Sequence, residues 1–184
     1  MSPLLEHLLR ILSTATSGEL TTVEINSPSV VAFLAPTYPS IFHSIKVLFL
    51  DTPQLPNPVD ILTHLHQLEA LTASHLSLPI YHNDVNIPFV HTLRHLSLSA
   101  VPIQWMSGRT FHALYSYTLI FPLHQHLQHT FNNICELQRL EISRLSSVNL
   151  ILNGFSANNL KHLSATWSCS VHPQMMYIFA MFRV

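Results

Sequence analysis

Fourteen histidines are the residues of this 184-residue chain most able to do chemistry. Imidazole is a ligand for zinc, copper and nickel. The tightest cluster is His124, His126 and His129. On a helix, His126 and His129 stand three residues apart and share a face. Zinc needs a third or fourth ligand, and Cys135, six residues beyond His129, does not obviously fall on that face. The plainer reading is a polar helix that uses His where other proteins use Lys or Glu, so no metal is expected. His64 and His66, two residues apart, are not helical neighbours and make a weaker case. No segment has the pattern of a nucleophile elbow or a zinc-protease helix. The three glycines, Gly18, Gly108 and Gly154, form no phosphate-cradling loop. The expectation is a protein with no catalytic residues and no cofactor, and therefore not an enzyme.

Charge narrows the partners. Charged residues are 9% of the chain, so Ser, Thr, Asn, Gln and His must cover the surface. With eight Lys plus Arg and a net charge of −1, there is no basic patch to hold nucleic acid. Cys135 and Cys169 are too few for a secreted disulfide scaffold and read as reduced thiols. No N-x-S/T sequon occurs. Both points favour an intracellular protein, cytoplasmic or nuclear.

The elements that position these side chains come from a repeat. The hexamer Leu93-Arg-His-Leu96-Ser-Leu98 places Leu96 and Leu98 on one side of a strand, with His95, Ser97 and Ser99 on the other. Versions of it start at Leu20, Ile45, Leu68, Leu93, Leu114, Leu137 and Leu160, separated by 25, 23, 25, 21, 23 and 23 residues. The copies at Leu68, Leu114 and Leu160 are degenerate. A period in the twenties with an LxxLxL core is the signature of leucine-rich repeats. One unit buries too few apolar side chains to offset the entropy of ordering its backbone, so units must stack. The predicted fold is α/β: a leucine-rich-repeat-like solenoid with short parallel strands on its concave side. Irregular helices and loops lie on the convex side.

Three regions follow. Residues 1–19 form an amphipathic helix or cap, with Leu5, Leu8, Leu9 and Leu12 on one face. Glu6, His7 and Arg10 interrupt the apolar run, which argues against a signal peptide. Residues 20–170 hold about seven repeat units. Residues 171–184 are an apolar tail, too short to span a bilayer, that serves as a last strand or covers an open end. Between the strands, short helices are predicted from about Ser29 to Leu34, ended by Pro36 and Pro39, and from Val59 to His66. A longer one is predicted from about Leu123 to Ile134, and the stretch from Ser74 to Thr92 reads as a loop.

The functional candidate is the stripe of residues flanking the inward positions. It runs from Thr22, Glu24 and Asn26 through Val47, Phe49 and Asp51 to His162, Ser164 and Thr166. Its centre is small and hydroxyl-rich, suited to a protein or peptide partner on the concave face. Binding energy concentrates on aromatic residues and Arg. Phe49, His95, Arg139 and His162 are the expected partner-binding residues.

The segments Ile87 to Phe131 and Ile151 to Ser170 resemble the leucine-rich-repeat region of fungal, mushroom-type F-box-like proteins. In that family an F-box module docks on a cullin-ligase adaptor and the repeats present a substrate. The resemblance implies substrate recognition for ubiquitination, with that adaptor as a further partner. The alternatives are a binding scaffold independent of any ligase, or a degenerate fragment without a maintained function. Two departures stand out. No LPxEI-type segment precedes the first copy, and the position where many such repeats carry Asn or Cys holds Pro28, Pro53, Leu76, Val101, Pro122, Leu145 and Ser168. The usual side-chain ladder of the turns is therefore expected to be missing.

Overall fold

A computed structural model describes residues 20–51, 59–74, 86–99, 111–120, 136–145 and 159–167. The elements expected at 1–19, Leu123–Ile134 and 171–184, and both cysteines, lie outside these residues. The described residues build a seven-stranded, all-parallel sheet whose spatial order is the sequence order. The strands are β1 (Thr22–Ile25), β2 (Val47–Asp51), β3 (Ala70–Ser74), β4 (His95–Ser99), β5 (Ser116–Ile120), β6 (Arg139–Leu145) and β7 (His162–Trp167). The architecture is that of an open, solenoid-like α/β fold, and each predicted copy supplies one strand.

The register explains the period. Val23, Leu48, Leu71, Leu96, Tyr117, Leu140 and Leu163 stand opposite one another in succession. Ile25, Leu50, Ala73, Leu98, Leu119, Ile142 and Ala165 form the parallel column two residues on. Alternation along each strand sends both columns to the same side. There they meet the first apolar residue of the five inner copies, which closes the core: Ile45, Leu68, Leu93, Leu114 and Leu137 are all buried. Phe42, Ile61, Phe89 and Phe111, from the segments that precede β2 to β5, cover this layer. The columns fray at both ends. Leu163 is 38% exposed where Leu140 is fully buried, and Val23 is only partly covered.

One backbone device recurs at every junction. The carbonyl of Thr21 accepts from the N–H groups of Lys46 and Val47, at 2.8 and 2.9 Å. Lys46, Glu69, Arg94, Tyr115 and Gln138 repeat it toward the next strand. Each carbonyl uses both lone pairs, which locks one unit's start to the next. Side chains add to this just before two strands: Ser44 Oγ donates to the carbonyl of Leu20 and Thr92 Oγ1 to that of Leu68. Both bonds reach from one unit to the unit before it.

The connections correct several expectations. Helix α1 (Pro28–Thr37) starts one residue earlier than predicted and runs through Pro36 instead of ending there. Pro36 falls in the last turn, where one missing N–H is tolerable, and the Tyr38 N–H closes the end on the carbonyl of Leu34 at 2.8 Å. Pro39 then opens the short helix α2 (Pro39–Phe42), as its fixed φ favours. Helix α3 (Val59–Leu62) stops four residues short of the predicted His66, and His64 and His66 lie in the turn that follows. The stretch read as a loop contains a 3-10 turn at Pro88–His91 that buries Phe89. The register of β6 and β7 shifts between Ile142 and Leu145, an irregularity the hexamer pattern does not predict.

Candidate functional site

The face of the sheet opposite the core presents two aligned rows. The first is Thr22, Val47, Ala70, His95, Ser116, Arg139 and His162. The second is Glu24, Phe49, Thr72, Ser97, Thr118, Glu141 and Ser164. None of these residues is buried, and no described helix lies over them. All four residues expected to bind a partner lie on this face, because each sits one position from a buried column.

The structure joins two of the four. Arg139 donates two hydrogen bonds to Glu141 Oε1, one of them from Nε at 3.0 Å. His162 Nε2 lies 3.7 Å from the same oxygen, and Thr118 Oγ1 donates to Oε2 at 3.4 Å. Glu141 thus ties β5, β6 and β7 together. It is the residue of this cluster that the ranking of aromatics and Arg passed over, although it stands in the predicted stripe. The Arg139 hydrogen bond leads in holding its carboxyl below the usual range; partial burial opposes this, while the Arg139 charge, Thr118 and His162 reinforce it.

A folded pKa below the unfolded one adds stability above the ordinary carboxylate range, and that stability is lost as pH falls through the folded value. Glu141→Gln should therefore flatten the acid limb of a stability-against-pH curve. At neutral pH it should change unfolding free energy by less than about 1 kcal/mol, since the pair is solvent-screened. Urea titrations at several pH values read both effects.

The other two stand apart. His95 meets the ring of Tyr115 edge-on, with centroids 6.0 Å apart. Phe49 is 40% exposed and borders an open hollow shared with Glu24, Asn26, Asp51, Thr72 and Ser74. Four strand spacings, about 19 Å, separate β2 from β6. A partner reaching Phe49, His95 and the Arg139–Glu141–His162 cluster must span most of the sheet.

A second grouping lies before the strands. His43 caps the C-terminal end of α2, and its ring sits 4.8 Å from that of His66 and 6.0 Å from that of His64, centroid to centroid. His91 and His112 stack 5.8 Å apart with 12° between their planes. A signal in the sequence could have found this. His43, His66, His91 and His112 each stand two residues before the first buried leucine or isoleucine of a copy. The repeat register therefore brings them onto one edge of the stack. Partial burial, then the neighbouring His66 and His64, lower the His43 pKa and favour its neutral form. By contrast, His124, His126 and His129 lie outside the described residues.

Among the described residues, no helix is long and apolar enough to cross a membrane. No family model, curated protein or solved structure matches this chain.

Proposed function

We propose that this chain is a leucine-rich-repeat-like interaction module that binds a protein or extended peptide across the uncovered face of its sheet, in an intracellular setting. The observation that carries this reading is the register. Seven parallel strands bury one side and present a continuous surface on the other, in which exposed aromatic and charged side chains punctuate a floor of Ser and Thr. That arrangement suits recognition by shape and hydrogen bonds, with Phe49, His95, Arg139 and His162 as anchors. The resemblance to the repeat region of F-box-like proteins supports a narrower form of the reading, in which the partner is a substrate delivered to a ubiquitin ligase.

The test is affinity capture of the full chain and of the double variant Phe49→Ala/Arg139→Ala from the same cells, read by mass spectrometry. A true partner is recovered with the native chain and lost with the variant. Measured directly, each truncated anchor should weaken its binding by about 2 kcal/mol, roughly thirtyfold. Co-recovery of a cullin-ligase adaptor supports the ligase form, and specific partners without it favour a plain scaffold. Partners that bind native chain and variant equally overturn the assignment of this face.

A further inference from the structure

We propose that the hollow at Phe49 takes a cationic side chain, arginine before lysine, from the protein segment that crosses the open face of the sheet. The inference rests on the reading of that face as a protein-binding surface and adds the chemistry of one contact. The hollow has a volume of about 280 Å3. Small-molecule sites run to roughly 300–1,000 Å3, so this one suits a single side chain. Its floor is aromatic. Phe49 is 40% exposed, and among the described residues none of the ring contacts involves it. A guanidinium stacks on such a ring within about 6 Å of its centroid.

The walls match the same group. Glu24 stands opposite Phe49 across one strand spacing, about 4.8 Å. Asp51 lies two residues further along β2 on the same exposed side, about 7 Å away. Thr72 and Ser74, opposite Phe49 and Asp51, add hydroxyl acceptors on the third side. The five N–H donors of a guanidinium thus meet two carboxylates and two hydroxyls. Other acids along the sheet already have their cations: Glu69 pairs with Lys46 at 3.4 Å, and Glu141 with Arg139 and His162. Among the described residues, no ion pair involves Glu24 or Asp51. Asn26 donates to Glu24 Oε1 at 3.1 Å, and a carboxylate held there still accepts at its second oxygen. An acidic side chain would meet two like charges at close range. At the far end of the face Arg139 repels a cation, so the partner's basic side chain sits over β1 to β3.

The test is selection from a library of random peptides on the immobilised full chain. The native protein is compared with Glu24→Gln/Asp51→Asn and with Phe49→Ala/Arg139→Ala. All these side chains are exposed or half-buried, and urea titration checks that each variant folds as the native chain does. Peptides selected by the native chain should share an arginine, or less strongly a lysine, and the amide variant should lose that preference. A synthetic peptide of the selected kind should bind the amide variant about tenfold more weakly, the effect of two exposed ion pairs. Added salt should weaken its binding to the native chain. A shared feature that is not basic, or a basic preference that persists in the amide variant, overturns this inference and leaves the face a binding surface. Peptides held equally by Phe49→Ala/Arg139→Ala, or no enrichment at all, overturn both.

Discussion

Leu96→Asp should leave the chain without its folded sheet, whereas Ser97→Asp, one residue on, should leave it folded. Leu96 is 2% exposed and stands between Leu71 and Tyr117 in the buried column. Truncating such a leucine to Ala already costs about 2–5 kcal/mol. An unpaired carboxylate in the same place adds several kcal/mol of desolvation or forces its own protonation. Domains of this size have only about 5–15 kcal/mol of stability to lose. The position worsens the effect. In a stack where each unit touches only its neighbours, a break at the central strand uncouples both halves. Ser97 points to the open face between Thr72 and Thr118, so a carboxylate there stays in water and should shift stability by no more than about 0.5 kcal/mol. Far-UV circular dichroism and urea titration of the two variants read the contrast directly. Equal behaviour would mean that the alternation is misassigned.

That contrast also marks what was legible in the sequence. The alternation of Leu96 and Leu98 with His95, Ser97 and Ser99 determines which side is buried, and the spacing of the copies aligns one strand with the next. Both signals are local, and both survive into the structure because burial enforces period two. The sites of Phe49, His95, Arg139 and His162 followed from the same rule. What they touch did not. Glu141 was readable as a stripe residue, but its hold on Arg139, Thr118 and His162 depends on side-chain reach between strands, and single-strand periodicity does not encode it. The connections were less legible because their apolar residues follow no clean period. Proline was read as a stop at Pro36, yet in the last turn of a helix only one backbone bond is at stake. The pairing of His43 with His66 was hidden for a different reason. The two stand 23 positions apart, one repeat, so their rings are neighbours only once the copies are superimposed.

Tyr117 breaks the leucine column, and its removal should be among the most damaging single truncations. It is fully buried, and its register partners are Leu96 and Leu140. Tyr117→Ala should cost about 3–5 kcal/mol, the range for emptying a large aromatic site. Tyr117→Leu, which restores the residue type of its column neighbours, should cost less than Ala, because it refills part of the volume. The phenol carries a second consequence. Burial pushes its pKa well above the ordinary value of 10.0. The folded state therefore holds this proton where the unfolded chain has released it. With more protons bound in the native than in the unfolded state, stability falls as pH rises above that ordinary value. The native chain should lose stability progressively above about pH 10, and Tyr117→Phe should remove that part of the alkaline slope. Urea titrations between pH 8 and pH 11, run on both proteins, separate this term from the other tyrosines and lysines, which the variant leaves in place. An unchanged slope in Tyr117→Phe would show that the phenol ionises as freely in the folded chain as in the unfolded one, and that the site is open to water.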